Sequence, residues 1–286
     1  MNNHEKIIKM VDENFIDRDI IESTEKQYLD LIKDIIDNGE LKETRNGRTK
    51  SIFGAQIHIN ELKHGKIPLL TSRKHFFKGI VGEYAAFLRG PKSVQCFEEQ
   101  GCNYWHLWAN EDGSLKVDYG NAWKDFDGIN QIDYVLDLLK NDPNSRRMII
   151  NAWHPNNVIN KKLSLECCHY CYQFHVSEGK YLNLKFIQRS VDTLIGMPSD
   201  LILASLMVMT FAKASGLEPG KIIMDFTDVH IYEEHLEDAK KQLLAKTFEF
   251  PTFSETITDN LYDFKPDMVE LHNYQHSVPI KYLLKA

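Results

Sequence analysis

The residues best equipped for chemistry in this chain lie in a few short stretches. One is LECCHYCYQF, where Cys167, Cys168 and Cys171 surround His169. Cys168-x-x-Cys171 is a spacing used by zinc sites and by dithiol redox centres. A structural zinc site normally brings a second ligand pair at matching spacing, and Cys96 and Cys102, six apart, do not supply one. On a regular strand Cys168 and Cys171 would also point to opposite faces. The reading is no metal. It leaves inert buried thiols, or one thiol nucleophile activated by a neighbouring cation such as Arg189.

Asn144-Ser145-Arg146-Arg147 opens a strand-like run and Gln188-Arg189-Ser190 closes another. Arginines there either form ion pairs at strand ends or cradle a phosphate, whose oxygens the planar guanidinium matches two at a time. Glu83 interrupts the apolar helix pattern IVGEYAAFL. It either lies on an exposed face or, if buried, is a general acid/base with a raised pKa. His230 and Tyr232 alternate in FTDVHIY and so share a strand face, as a satisfied core pair or as a grip on a sugar hydroxyl.

These residues need elements to hold them. STEKQYLDLIKDIIDNGE has helical spacing, with Ser23 or Thr24 as cap and Asn38-Gly39 as stop. KGIVGEYAAFLRG predicts a helix ending at Gly90, and QIDYVLDLLKNDPNS predicts another. The stretch between them is rich in loops and carries Trp105, Trp108 and Trp123. RRMIINAW, YCYQFHV and YLNLKFIQR read as strands, the last with a two-residue period. A loop in RNGRTKSIFGAQIHI feeds a further strand, and Leu217-Glu218-Pro219-Gly220 reads as a turn into KIIMDFTDVHIY. Nothing between these elements looks like a linker, so the expectation is one α/β-type domain.

The chain has 286 residues, 43% apolar and 26% charged, enough for a large core. Its net charge of −7 disfavours nucleic acid and anionic membranes as partners, so a phosphate must be held by local arginines. The N-terminus shows no secretory-signal pattern. The longest apolar run, Leu201 to Ala212, is shorter than the ~20 residues of a membrane span and reads as a buried helix. Five clustered cysteines, an odd number, argue for reduced thiols and a cytoplasmic protein.

Taken in order, RNGRTKSIFG, the glutamate of VGEYAAFL, the first tryptophan of YWHLWA, DYGNAW, NDPNSRR, CCH, QRSVD-x-x-x-G-x-P and D-x-H-x-Y resemble the thymidylate synthase superfamily. The resemblance runs from about Arg45 to the C-terminus, whose last residues depart from the family's; residues 1–40, a helical segment, are less diagnostic. It implies a single-domain α+β fold over residues 1–286, with a large mixed β-sheet at a dimer interface covered by helices. It implies one-carbon transfer from 5,10-methylenetetrahydrofolate to C5 of a pyrimidine deoxynucleoside monophosphate, in a homodimer with shared sites. Cys168, followed by His169 as in the family, matches the nucleophile that adds to C6. Arg45, Arg189 and Ser190 match phosphate binders, while Arg146 and Arg147 match a pair reaching in from the other subunit. His230 and Tyr232 match the grip on the 3′-hydroxyl, with His169 and Asp192 also on the nucleotide. Glu83 and Tyr119 match the proton-transfer network. Trp105 and Asp192 match folate contacts, and Gly196 and Arg73 fall on the same side.

At position 200 the resemblance breaks. The family has an asparagine, which donates to O4 of uracil and accepts from N3–H; here the residue is Asp200, with the register held by Gly196-Met197-Pro198. Cytosine reverses both groups, and an aspartate accepts from its amino group. The bland alternative is a helix N-cap, which Ser199 would fill equally well. Aspartate here is the pattern of deoxycytidylate hydroxymethylases, largely phage enzymes. Hydride delivered to the exocyclic carbon gives methyl and water gives hydroxymethyl. Glu166-Cys167 replaces the small apolar pair of the asparagine-type enzymes, and Glu166 either orders the water or points to solvent. Trp105 and Leu165 look instead like the apolar wall of methylating enzymes. The sequence reading is hydroxymethylation of dCMP. The alternatives are methylation of dCMP or dUMP and, from a different class, a non-catalytic nucleotide- or metal-binding protein on this fold.

Overall fold

The computed structural model describes residues 22–277 and 279–285. The helical reading of the earlier N-terminal residues lies outside them. Helix α1 (Thr24–Asn38) begins where expected: Ser23 Oγ accepts from the Lys26 amide at 3.3 Å. A hairpin of β1 (Glu40–Thr44) and β2 (Gly47–Ile59) follows, turning at Arg45-Asn46. The sequence reading has β2 but misses β1, whose five residues are all exposed and carry no alternating signal.

Helix α2 (Phe77–Arg89) ends at Gly90, where φ is 68°. The tryptophan-bearing stretch contains α3 (Val94–Glu98), a short 3-10 turn over Trp105–Trp108, and α4 (Tyr119–Lys124). Then come α5 (Gln131–Asn141), β3 (Ile149–Asn151), α6 (Pro155–Ile159), β4 (His169–Ser177) and β5 (Tyr181–Asp192). Helix α7 (Gly196–Ser215) crosses to β6 (Glu218–Tyr232), and α8 (Leu236–Leu243) precedes a small hairpin of β7 (Thr252–Glu255) and β8 (Val269–His272).

The main sheet runs β1-β2-β6-β5-β4-β3. Only β5 and β6 pair in parallel, because α7 carries the chain back over the sheet between them. This is a mixed α+β architecture with one large mixed sheet, as expected. Alternation along β5 sends Leu182, Leu184, Phe186 and Gln188 into the core. Helix α7 is apolar on nearly every side and fills the space above them, 89% buried over its most apolar stretch. It is longer than the apolar run suggests, and long and apolar enough to cross a membrane, but its burial within the protein accounts for that composition. Two other details differ from the sequence reading. Strand β6 already includes Pro219-Gly220, the turn being at Gly216-Leu217. Strand β3 is three residues long and begins two after Arg147.

Buried Glu25 ties α1 to the loop before α2, accepting from the amides of Thr71 (2.6 Å) and Ser72 (2.8 Å) and from the Thr71 hydroxyl. Two glycines let further elements close on α2. Gly82 meets the backbone of the 100–102 turn, and Gly120 meets the Phe87 carbonyl; a β-carbon at either would overlap those atoms. Gly120 thereby sets the height of Tyr119 over α2. Gly120→Ala is expected to destabilise the protein by ~1–3 kcal/mol through overpacking. Urea unfolding of the variant checks this, and a neutral effect would show that α4 is free to lift.

Candidate active site

A cleft of about 360 Å³ opens where α2, the 104–108 turn, α4, the start of β4, the end of β5 and the start of α7 converge. Its lining includes Glu83, Trp105, Tyr119, Cys168, His169, Ser190, Asp192, Gly196 and Asp200, all singled out from the sequence. Leu165 lines it as well, while the adjoining Glu166 does not.

Glu83 is 8% exposed, so the exposed-face reading is excluded. Burial pushes its carboxyl up to about 7, against the pull of the Trp105 indole N–H, which donates to it at 2.8 Å. Trp105 stacks on Phe97 and lies beside Trp108, whose own indole nitrogen is buried without a partner. The Tyr119 hydroxyl accepts from the Cys168 amide at 2.9 Å.

A β-bulge shapes the Cys168 end of β4. His169 pairs with Gln188 and Cys171 with Ile187, leaving Tyr170 as the extra residue. The alternation expected between Cys168 and Cys171 therefore does not hold, because the bulge resets it. What separates the thiols is place: Cys168 lines the cleft, whereas Cys167 is fully buried with its thiol pushed up to about 12. Burial also raises the Cys168 thiol, with the Arg189 charge pulling the other way. Burial outweighs the cation, so the free protein holds a thiol rather than the thiolate that sequence reasoning asks of a nucleophile. Arg189 spends its Nε–H on the Cys167 carbonyl (2.9 Å) and one amino group on the Glu166 carbonyl (3.2 Å), anchoring the segment ahead of the thiol.

Asp200 is not a helix cap. Helix α7 starts four residues earlier, at Gly196, so the cap reading fails and Asp200 lies inside the helix. Gln188, fully buried on β5, donates its amide N–H to Asp200 Oδ2 at 2.8 Å. Burial, with Glu83 nearby, holds the Asp200 carboxyl well above the usual range. His169 Nε2 stands 3.9 Å from Asp200 Oδ1, and burial lowers that imidazole to about 3, so it is neutral. Asp192 Oδ1 accepts from the amides of Leu194 (2.9 Å) and Ile195 (3.1 Å), which turns the chain into α7.

The other singled-out residues lie around the cleft or away from it. His230 pairs in register with Asp192 and bonds Asp228 through Nδ1 at 2.8 Å; its ring and that of Tyr232 are 5.5 Å apart, on one face as expected. Exposed Arg45 sits on the β1–β2 turn, close enough for its charge to act on Tyr232. Arg73 donates to the Leu194 carbonyl and stands over the Tyr282 ring, behind the cleft. Arg146 and Arg147 are exposed and do not join their own chain's cleft; Arg146 borders a depression on the sheet with Gln173, His175 and Lys185. Among the described residues no group of three or more His, Cys, Asp or Glu is placed to hold a metal.

Sequence reasoning misses four participants. Gln188 stands beside Arg189 in the sequence, with nothing to mark it as the partner of an aspartate twelve residues on. Tyr172 bonds His169 Nδ1 at 2.5 Å, a contact that only the bulge allows. Leu284 and Lys285 line the cleft because the tail folds back, with Tyr282 bonded to Gln242 (2.8 Å) and Lys285 paired with Glu234 (2.8 Å).

Comparison with known proteins agrees with this geometry. Residues 26–286 match the thymidylate synthase family. A thymidylate synthase of Corynebacterium aurimucosum is 37% identical over 263 residues, covering 90% of this chain and 96% of the relative. The chain belongs to the thymidylate synthase family. Thymidylate synthase family proteins carry out folate-dependent one-carbon transfer to C5 of a pyrimidine nucleotide. Their cosubstrate is 5,10-methylenetetrahydrofolate, and they bind the nucleotide as monophosphate and function as dimers.

The raised Glu83 carboxyl makes stability depend on pH in a definite direction. Its folded-state pKa lies above the unfolded value, so the folded state binds the extra proton between about 4.5 and about 7. Stability from this group is therefore lost as pH rises through that window. Glu83→Gln removes the effect. Relative to wild type, the variant is expected to gain up to about 3 kcal/mol between pH 4.5 and pH 8, at about 1.4 kcal/mol for each pH unit between the two pKa values. Denaturant unfolding of both proteins across that range checks it, and parallel curves would mean an ordinary carboxylate.

Proposed function

We propose that this chain transfers the one-carbon unit to C5 of dCMP and releases 5-hydroxymethyl-dCMP. The observation that carries the substrate assignment is Asp200, held by the Gln188 amide inside α7 where family relatives place an asparagine. The Gln188 N–H occupies Oδ2, leaving acceptor capacity toward the cleft for an exocyclic amino group. A raised carboxyl pKa suits the second contact, since one proton shared between Asp200 and N3 completes the pair with cytosine. Uracil O4 facing Asp200 in its ionised form sets acceptor against acceptor, at ~1–3 kcal/mol.

Cys168 is the nucleophile. Its Sγ–H proton passes to the ionised fraction of Glu83, directly or through water, as sulfur bonds to C6, and the electron pair of the C5–C6 double bond becomes available at C5. Arg189 and Tyr119 hold the backbone that leads into that sulfur's residue. The cleft suits the folate: its aromatic wall of Trp105 and Trp108 offers a flat face, the Trp108 indole N–H is unspent, and Asp192 supplies a carboxyl in the lining for ring N–H groups. When bound there the folate supplies the one-carbon unit. Glu83, with a pKa of about 7, is poised to take and return protons near neutrality, including those of a water that attacks the exocyclic carbon. Arg45, Ser190, His230 and Tyr232 face the phosphate and sugar, with the remaining N–H groups of Arg189.

A second reading, reductive methylation, is favoured by Leu165 and Trp105 on the cleft wall, by Glu166 lying off it, and by the relative's name. Mass spectrometry of the products from dCMP and from dUMP separates the readings by product mass.

Dimerisation places the sheet face opposite the helices against a second copy. Arg146 borders that face beside Gln173, His175 and Lys185, and Phe53 of β2 is 86% exposed. Arg146 and Arg147 then complete the partner's phosphate site. Cys168→Ser and Arg147→Ala are each expected to be inactive, and mixing them after subunit exchange restores part of the activity, because one site per hybrid keeps all its parts. No recovery despite proven exchange would mean each site is built from one chain. Cys167→Ser and Cys171→Ser keep most activity.

For Asp200→Asn, relative kcat/KM is expected to move from dCMP toward dUMP by about one to three powers of ten. Kinetics with both nucleotides check this. An unchanged preference, or a wild type that prefers dUMP, would make the protein a thymidylate synthase.

A further inference from the structure

Because the bulge at Tyr170 takes one residue out of the alternation, His169 and Tyr172, three apart, both face the core. Their side chains meet there. The Tyr172 hydroxyl lies 2.5 Å from His169 Nδ1 and 3.1 Å from the His169 carbonyl oxygen. The hydroxyl has one proton, and the carbonyl can only accept. One arrangement satisfies all three atoms: the hydroxyl donates to the carbonyl, and Nδ1–H donates to the hydroxyl oxygen. A neutral imidazole with its proton on Nδ1 has a bare Nε2. Burial keeps the ring neutral, holding its pKa near 3.

We infer that Tyr172 is a positioning residue that fixes His169 as the Nδ1–H tautomer, so that the Nε2 lone pair serves beside Asp200 as the second acceptor for the exocyclic amino group of the pyrimidine. The inference rests on the dCMP reading above. An amino group has two protons to place. Nε2 and Asp200 Oδ1 are 3.9 Å apart, too far for a hydrogen bond to each other, and an amino nitrogen about 2.9 Å from each would fill the gap. The other titratable groups near this pair are Glu83 from α2, Tyr119 from α4 and Cys168, and Gln188 already satisfies Oδ2. A bare Nε2 facing uracil O4 would set a lone pair against a lone pair. Histidine and aspartate thus select against the same atom independently.

Two measurements test this. The first is nitrogen NMR of the full-length wild type labelled with 15N-histidine, with the His169 signals assigned by their loss in His169→Gln. Nδ1 protonated and Nε2 bare from pH 5 to pH 8 is expected; the reverse tautomer, or titration in that range, overturns the inference whatever the substrate. The second is kcat/KM for dCMP and dUMP in Tyr172→Phe, with folding checked by melting temperature. Losing the anchor frees the ring, and the dCMP-over-dUMP ratio is expected to fall about 5- to 30-fold, the scale of one buried hydrogen bond. A purely structural role would lower both values together and leave the ratio unchanged, and that result overturns the inference while leaving the dCMP reading intact. A wild type that prefers dUMP fails the dCMP reading itself and overturns the amino-acceptor role with it, and the NMR result then decides the tautomer separately. If Tyr172→Phe does not fold, the NMR measurement on wild type decides.

Discussion

One hydrogen bond joins the two halves of the site. The Gln188 amide, fully buried on the sheet, reaches to Asp200 on helix α7, whose carboxyl lines the cleft. A shift of the strand against the helix would strand that buried N–H beside Gln188 Oε1, which is already buried without a partner. The rest of the site hangs on that fixed pair. The end of β5 sets Ser190 and Asp192, Asp192 turns the chain into α7, and the neighbouring strand presents His169 opposite Gln188. Helix α2 closes the arrangement with Glu83, drawn in by two glycines whose missing side chains are themselves a packing requirement.

Much of this is legible in the residues. Helix α1 with its Ser23 cap, the Gly90 stop of α2 and the two-residue rhythm of β5 are local signals, and local physics carries them. The chemistry of the cleft is legible for a different reason: Glu83, Cys168, Asp192 and Asp200 are residue types that are costly or reactive wherever they are buried. Strand β1 leaves no pattern because both its faces meet water. The start of α7 is easily misplaced because the apolar run begins at Leu201, while the helix begins at Gly196 with no capping side chain to announce it.

The bulge at Tyr170 is the least legible feature and has the widest effect. Strict alternation keeps Tyr172 apart from His169, and it also supplies a reason to separate Cys168 from Cys171 that does not hold. A single unpaired residue undoes both arguments, since face assignments propagate along a strand and one extra residue reverses them. The Arg146–Arg147 pair is a different kind of gap. Its side chains are exposed and remote from their own cleft, and no reading of one chain's interior gives them a task.

The formal charge of −7 counts every carboxyl as ionised. Around the cleft that count overstates the case. Glu83, Asp192 and Asp200 all have their pKa values pushed upward by burial, so the wall that a ligand meets is less negative than its composition. A nucleotide monophosphate approaching from solvent is an anion entering the face of an acidic protein. Burial of the acids quiets the local field at the mouth, while Arg45, exposed on the β1–β2 turn, displays its charge near Tyr232, and Lys285, in the cleft lining, is paired with Glu234. Capture of an anion is thereby a matter of where the charges are silent as much as where they are displayed, and its ionic-strength dependence will report the rim rather than the whole molecule.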